Sequence, residues 1–495
     1  MLMHFRPTAL KLRGSCAIAV CQQHAASGGL ALLATTGMLL AACTGTAEQA
    51  SSIVTPSAWT YSQHGSTGLP DEGGQAWWRR FDDPKLNRLI DSALARNTDL
   101  AKAALNVKEA QLISELEGDP LRFGPQASLS AVTGRRLDNG SGIRERSSSL
   151  QARASYTLDL WGRLDQQRDI ARWALEASEF DRQTVRLNTI ATTADLYWKL
   201  AYFNQRVDSA EKSLATAMRT QLLVQAQSIA GAVSALERRE AEQTVLTQRS
   251  SLSQLRQAQV ETRNALAVLF DSAPGNDVLL QILGDEPQKL PDGELPSVQE
   301  GLPAALLGRR PDLRSAELAL HQSLANVDVV RTSYYPNLSL TGALGSTSNS
   351  LADLLANPTA TLGTGVSLAF LDLKAMRRDT QVAQVQYEAS IIQFRQTLYQ
   401  AFADVENALS SRAHLTEQAE LQAQNLVAAR EAERLYAIRY RAGAVALRMW
   451  LDAQESLRNA ELLLAQARLS QLQNLNTLYL SLGGDMTAPS KTTAE

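Results

Sequence analysis

Two long stretches of the chain lack glycine and proline and carry apolar or small residues three and four positions apart. One lies between Gly162 and Gly231, and the other runs from Val366 to Ala442. Residues at this spacing share one face of an α-helix, so the pattern predicts long amphipathic helices. A helix over 163–230 would have 68 residues and reach roughly 100 Å. The narrow, alanine-rich stripes favour packing against neighbouring helices, as in a coiled coil.

Shorter segments alternate apolar residues with small or polar ones, which indicates β-strands. Every second residue is apolar or small from Leu150 to Leu160, and the same pattern runs over 337–344 and 361–370. The last of these places Leu368 and Phe370 on the apolar face of a strand. Segments of about ten residues with one apolar and one polar face suit a transmembrane β-barrel. One such segment is compatible with half of a soluble sheet, but several in one chain argue against a simple coiled-coil rod.

The helix and strand patterns occur twice along the chain. Asn97-Thr-Asp-Leu resembles Arg310-Pro-Asp-Leu, Leu158-Asp-Leu160 resembles Leu371-Asp-Leu373, and Ala230-Gly-Ala-Val233 matches Ala442-Gly-Ala-Val445. All three pairs are separated by 212 or 213 residues. A constant offset indicates two tandem copies of one unit. Each copy is predicted to contain a helix, two strands, a very long helix, a tight turn and a returning helix.

Two strands per copy give four strands per chain, and four cannot close a barrel in lipid. An open sheet edge in the hydrocarbon leaves backbone groups unpaired at a cost of several kcal/mol each. Two chains would supply eight strands, and side chains fill the interior of a barrel of that size. Three chains would supply twelve strands and leave an open channel. The number of strands is compatible with either assembly, but a barrel with an open channel through it requires three chains.

The N-terminus has the pattern of a bacterial export signal. Arg6, Lys11 and Arg13 precede an apolar run over 30–42, which is short for a membrane span. The run ends at Leu40-Ala-Ala-Cys43, which resembles the lipoprotein box and predicts a covalent lipid on Cys43. The alternative is ordinary cleavage nearby, with Cys43 as a bystander. Because residue 44 is not Asp, the resemblance implies sorting to the outer membrane.

Composition excludes several other classes of function. The net charge of −3 offers no basic surface for nucleic acid. No histidine has a partner at metal-ligand spacing, and the sequence contains no nucleotide-binding loop or nucleophile elbow. We therefore expect no enzyme activity, no metal and no cofactor apart from the lipid.

Seven motifs follow one another along the mature chain. They are Trp77-Trp-Arg-Arg-Phe-Asp-Asp-Pro-Lys-Leu86, Tyr156-Thr-Leu-Asp-Leu-Trp-Gly-Arg163, Leu307-Gly-Arg-Arg-Pro-Asp-Leu313, Tyr335-Pro-Asn-Leu-Ser-Leu340, Arg439-Tyr-Arg-Ala-Gly443, Leu451-Asp-Ala-Gln454 and Leu482-Gly-Gly484. In this order they resemble the TolC-like outer membrane factors, in the lipoprotein (NodT/OprM-like) branch of efflux-pump subunits. The resemblance implies a mainly α protein with membrane β-strands. Three tandem-repeat protomers would form a twelve-stranded outer-membrane β-barrel continuous with a long periplasmic α-helical barrel.

The predicted organisation has six parts. A signal peptide covers 1–42, a lipidated segment 43–84, the first repeat 85–270, an equatorial linker 271–302, the second repeat 303–483 and a C-terminal tail 484–495.

The resemblance also implies where the protein meets its partners. The hairpin turns would dock a periplasmic adaptor, itself bound to an inner-membrane pump of the RND type. Small residues in these turns are also what any tight turn requires. The turn residues are Ala230, Gly231, Ala232 and Val233 in the first copy and Ala442, Gly443, Ala444 and Val445 in the second.

The family's closed periplasmic gate uses a tyrosine three residues before the turn glycine and aspartates six and nine residues after it. Here Tyr440 and Asp452 hold the first and last of these positions, while Met449 replaces the other acid. An arginine found two residues after the glycine in some members is Val445. Asp452 is expected to form a ring of charge in the trimer, unless it pairs with Arg448 one turn earlier.

Three other functions are compatible with the sequence. A type I protein-secretion channel would have the same architecture, although lipidation and the Leu307–Leu313 motif favour export of small molecules such as drugs. A structural coiled-coil lipoprotein and a periplasmic lipoprotein enzyme are further alternatives. The sequence does not identify the exported compound or the pump.

Overall fold

The computed structural model describes residues 55–61, 76–118, 126–135, 144–276, 278–298, 303, 306–350 and 355–484. All of them belong to the larger of two compact units, residues 50–495. The predicted signal peptide, Cys43 and all of the C-terminal tail after Gly484 lie outside the described residues.

The first half of the chain contains two short helices, a hairpin of strands and a hairpin of long helices. Its elements are a 3-10 helix (Trp77–Phe81), α1 (Pro84–Arg96), α2 (Thr98–Gly118), β1 (Gln126–Arg135), β2 (Arg144–Leu158), α3 (Arg163–Ile229) and α4 (Ala235–Leu269). Helix α3 has 67 residues, so the predicted long helix over 163–230 is confirmed to within one residue.

The second half follows the same order after a connecting segment that carries its own helix. Its elements are α5 (Val278–Leu283), α6 (Leu306–Arg309), α7 (Pro311–Ser333), β3 (Asn337–Ser348), β4 (Pro358–Ser367), a 3-10 helix (Ala369–Leu371), α8 (Leu373–Arg441) and α9 (Leu447–Ser481). Helix α8, with 69 residues, confirms the second long helix.

The four strands form one antiparallel sheet in the order β1-β2-β3-β4. Its register aligns Leu129 with Leu150, Tyr156 with Leu340 and Gly342 with Leu362. One face therefore carries the apolar side chains, and Leu362 on it is 92% exposed. Within the described chain, the outer edges of β1 and β4 pair with no further strand.

The sequence pattern placed the end of two strands too late. Strand β4 ends at Ser367, so Leu368 lies beyond it and Phe370 lies in the following 3-10 helix. Strand β2 likewise ends at Leu158, two residues before Leu160. In the second copy, Asp372 accepts a hydrogen bond from the backbone N–H of Ala375 and so caps the N-terminus of α8, which ends the extended backbone there.

The long helices are flanked by the shorter ones. Helix α3 packs against α2, α4, α7 and α9, while α8 packs against α7 and α9. The two hairpins, α3–α4 and α8–α9, therefore meet mainly where α3 contacts α9. Helices α2 and α4 at one side, and α8 at the other, are the outer helices of the protomer.

A belt of short elements covers the middle of the hairpins and holds the largest buried cluster. Trp77 stacks on Tyr479 of α9 with ring centroids 4.9 Å apart, and Phe81 meets Trp198 of α3 edge to face at 4.9 Å. Asp83 caps α1 and also accepts a hydrogen bond from the Tyr197 hydroxyl at 2.8 Å. These contacts explain the aromatic and acidic residues of the motif over 77–86.

In each copy, one side chain connects the end of the returning helix of the hairpin to the start of the helix that precedes the strands. The amide of Asn97 donates to Leu269 O at the end of α4 and accepts from Leu100 N in α2. The guanidinium of Arg310 donates to Ser481 O at the end of α9 and forms an ion pair with Asp312 of α7 at 2.7 Å. Positions 97 and 310 are equivalent in the two copies, so different side chains make the same connection.

Candidate functional site at the hairpin tips

The two hairpins end in turns of the same geometry. At the first turn Gly231 has φ +72°, and Ala232 N donates to Gln227 O at 2.9 Å. At the second turn Gly443 has φ +70°, and Ala444 N donates to Arg439 O at 2.9 Å. This is the Schellman arrangement, which closes a helix with a left-handed residue that favours glycine.

The tips expose small and apolar side chains. Among the turn residues named from the sequence, Ala230, Gly231, Ala232, Ala442, Gly443 and Ala444 are exposed, while Val233 and Val445 are half-buried. Larger exposed apolar side chains flank the turns at Ile229, Leu236 and Met449. A small-residue surface bordered by exposed apolar groups is suited to contact with another protein.

Behind the turns lies a small buried cluster, here called the tip core. It contains Val224, Ala241, Ala437, Leu447, Trp450 and Leu451, with Val233, Tyr436 and Tyr440 packed against it. All four helices of the two hairpins contribute to it. The tip core therefore holds the hairpins together at the end far from the sheet.

Tyr440 connects the two hairpins directly. Its hydroxyl, on α8, donates to Gln227 Oε1 on α3 at 2.9 Å. Its ring stacks on Trp450 of α9 with centroids 5.2 Å apart, and Trp450 Nε1 donates to Glu433 Oε1 at 2.9 Å. Burial, assisted by the nearby charge of Glu237, raises the pKa of Tyr440, so the hydroxyl keeps its proton and stays a donor.

Asp452 is an exposed carboxylate in the single chain, with 63% of its side chain accessible. Arg448 Nε lies 3.6 Å from Asp452 Oδ2, and Arg448 Nη1 lies 3.8 Å from Glu240 Oε1. The pairing with Arg448 that the sequence left open is therefore present in the single chain. Both distances are long for ion pairs and Arg448 is exposed, so the contacts are weak.

Several tip residues escaped the sequence analysis. Glu240 lies nine residues after Gly231, the position that Asp452 holds after Gly443. The 212-residue offset would have revealed it. Gln227, Trp450 and Glu433 carried no such signal, because their roles depend on which helices lie side by side.

The described residues contain no group of three or more His, Cys, Asp or Glu side chains able to hold a metal ion. Over the same ranges, no helix combines the length and the apolar character needed to cross a bilayer.

Comparison with known proteins gives consistent matches over most of the chain. The family model described as outer membrane efflux protein matches residues 89–270 and 302–484. The chain is 34% identical to the pyoverdine export outer membrane protein OpmQ of Pseudomonas putida, covering 92% of this chain and 97% of that protein. It is 29% identical to the toluene efflux pump outer membrane protein TtgC of Pseudomonas putida, over 83% of this chain and 85% of that one.

Solved structures of outer membrane channels have the same fold. The open state of the MtrE outer membrane channel of Neisseria gonorrhoeae superposes with a TM-score of 0.71 at 28% identity, covering 91% of this chain and all of that one. The outer-membrane channel OprN superposes with a TM-score of 0.76 at 26% identity, over 89% and 99% of the two chains.

Proposed function

The chain belongs to the outer membrane efflux protein family, and from this we propose that three copies form a duct carrying small molecules from an inner-membrane transporter to the cell exterior. Family membership establishes the coarser statement: the protein is an outer membrane channel component of a tripartite efflux pump, with a periplasmic extension, and is not an enzyme. The number of chains, the lipid anchor, the class of cargo and the tip residues belong to the proposal.

The unpaired edges of the protomer carry the proposal of a closed trimer. Strands β1 and β4 each have an edge to which no described strand bonds, and such edges cannot remain open in lipid. The same two sides of the protomer expose apolar helix residues. Those on α2 and α4 are Leu105, Leu112, Leu116, Leu246 and Val260, and those on α8 are Val382, Val385, Ile392, Val427 and Ile438. Joining β1, α2 and α4 of one copy to β4 and α8 of the next would cover both edges.

The assembly and the duct can be tested together. We expect the detergent-solubilised protein to have the mass of three chains by light scattering and to form conducting pores in planar bilayers. A dimeric mass would mean eight strands and a lumen filled by side chains. A stable monomeric pore would contradict the argument from open edges.

We propose further that Cys43 carries a covalent lipid and that this lipid is the only attached group. The lipoprotein box over 40–43 supports it. Replacing Cys43 by Ser is expected to abolish incorporation of radiolabelled palmitate, because the lipid is attached through the cysteine sulfur. Membrane association should persist, since the sheet provides a second attachment. Undiminished labelling of the Cys43→Ser protein would show that the lipid is elsewhere.

The hairpin tips are the proposed docking surface for the adaptor, which would link the duct to an RND-type pump. Exposed small residues at both turns and the flanking apolar side chains support this role. The names of the relatives, pyoverdine export and toluene efflux, favour small molecules as cargo over the type I secretion of proteins. Conductance in reconstituted bilayers would separate either duct from a purely structural lipoprotein.

We expect two tip substitutions to act differently on the channel. Tyr440→Phe removes the hydrogen bond to Gln227 and should raise the open probability by about fivefold, the value of one ordinary hydrogen bond.

Asp452→Asn should reduce cation preference and block by multivalent cations, because it removes one carboxylate per chain from a shared axis. Single-channel recording measures both properties. Unchanged selectivity and block in Asp452→Asn would mean that Arg448 neutralises this carboxylate and that packing alone closes the gate.

A further inference from the structure

Gln454 is a polar side chain enclosed just behind the tip core. It belongs to the Leu451–Gln454 motif, and only 5% of it is exposed. Neither its amide nitrogen nor its amide oxygen has a hydrogen-bond partner among the described residues. Both atoms are inaccessible within a single chain, so a neighbouring protomer has no access to them.

The position of Gln454 on α9 is one that an apolar residue would normally occupy. Leu447, Trp450, Leu451 and Gln454 are spaced by three or four residues and share the buried face of the helix. The first three lie in the tip core with Val224 of α3 and Ala437 of α8. An amide in such a seam destabilises the packed arrangement unless its donors and acceptor are satisfied.

The turn of α9 just before Gln454 lies where both hairpins meet, because Trp450 and Leu451 belong to the tip core together with Val224 of α3. Helix α9 packs against α8 within its own hairpin and against α3 of the other hairpin. The Tyr440–Gln227 hydrogen bond marks the same contact nearer the turns. Separation of the α8–α9 hairpin from α3 would expose this buried face of α9 to water, which could then hydrogen-bond to the amide.

We propose that Gln454 favours opening of the tip. Its buried amide has no hydrogen-bond partner and so destabilises the arrangement in which the two hairpins are in contact, here called the linked arrangement. The amide therefore favours separation of the hairpins. This inference rests on the proposed duct. The tip core and the Tyr440 hydrogen bond favour the linked arrangement, and Gln454 opposes them. A docked partner that binds one arrangement more tightly than the other would shift this balance by its differential affinity.

Single-channel recording of the trimeric protein in planar bilayers tests the proposal. Gln454→Met keeps the length of the side chain and removes both polar atoms. It is expected to lower the open probability by about tenfold to hundredfold, the range for relief of an unsatisfied buried polar group. The thermal midpoint should be unchanged or higher. Gln454→Glu should act in the opposite direction and raise the open probability, because a buried carboxylate is costlier than a buried amide.

Gln243 provides a matched control. It lies on α4, twelve residues after Gly231, whereas Gln454 lies eleven residues after Gly443, and it is exposed. Gln243→Met should leave the open probability unchanged. An unchanged open probability in Gln454→Met, or a lowered thermal midpoint, would show that the amide is satisfied in the linked state and would overturn the proposal. If the wild-type protein forms no pore at all, the proposed duct fails instead.

Discussion

Replacing Arg310 by Ala is expected to lower the free energy of unfolding by about 2–3 kcal/mol, measured by thermal or denaturant unfolding of the solubilised protein. Only 12% of this side chain is exposed, and it binds Asp312 and Asp404 as well as Ser481 O. Its removal would take the guanidinium donor away from Asp312 Oδ2, Asp404 Oδ2 and Ser481 O. The expected loss is smaller than that for breaking a fully buried pair, because both aspartates are about a third exposed.

The charges at this junction support the direction of the effect. Burial disfavours the charged guanidinium, but the hydrogen bonds and charges of Asp312 and Asp404 together outweigh it and raise the pKa of Arg310. The guanidinium therefore keeps its positive charge while it bridges the two carboxylates.

Two comparisons make the Arg310 result specific. Arg310→Lys keeps the charge but not the paired geometry towards Asp312, so it should lose an intermediate amount. Arg182 forms an exposed pair with Glu179 at 2.9 Å, and Arg182→Ala should change stability by less than about 1 kcal/mol. Equal losses in Arg310→Ala and Arg182→Ala would mean that the junction is no more important than a surface ion pair.

Replacing Gly483 by Ala is the second change for which we expect a large loss of stability, of about 2–4 kcal/mol. Gly483 has φ +87°, a conformation that costs an L residue about 1–2 kcal/mol. A Cβ atom there would lie 2.8 Å from Arg309 O and 2.9 Å from Arg309 C. Because these are backbone atoms just before α7, relieving the contact would require the end of α9 to move.

Gly275 separates the two contributions to this loss. Its φ of +91° is nearly the same, but an added Cβ atom would meet nothing within 4 Å. Gly275→Ala should therefore show only the conformational cost. If both alanine variants have the same thermal midpoint, the close approach at Gly483 is not rigid and the larger effect is wrong. A larger loss in Gly483→Ala than in Gly275→Ala would explain the glycine that directly follows Leu482.

Arg310 and Gly483 matter to the channel because both lie where α9 ends and α7 begins. Both of these helices pack against α3 and against α8. No single helix continues through this junction, so the packing there depends on contacts between the end of α9 and the start of α7. Arg310 connects the two helix ends through its hydrogen bond to Ser481 O, and Gly483 does so through its close approach to the backbone of Arg309.

Much of the fold could be predicted from the pattern of residues. The absence of glycine and proline from 163–230 predicts an unbroken helix, and α3 agrees to within one residue. Strand alternation was also correct for most positions, although Leu368 and Phe370 lie outside β4. Periodicity does not show where a strand stops, because the end depends on the helix cap at Asp372 and the turn before it.

The tip shows the limit of such reasoning. The sequence placed the turns and identified Tyr440 and Asp452 by their spacing from Gly443. It did not reveal that Tyr440 binds Gln227, that Trp450 lies under its ring, or that Gln454 is enclosed without a partner. Gln227 and Tyr440 are 213 residues apart, so only the packing of the hairpins brings them together.

The sequence by itself therefore determined the elements, their duplication and the number of strands, because these depend on local periodicity and on the chemistry of glycine and proline. Tertiary structure decided which side chains meet between the hairpins and at the junction of α9 with α7. Such contacts depend on how two helices are aligned and rotated against each other. If one helix were shifted by one residue along the other, every pair of contacting side chains would change. That alignment follows from packing along the whole length of α3, α8 and α9, which no short motif encodes.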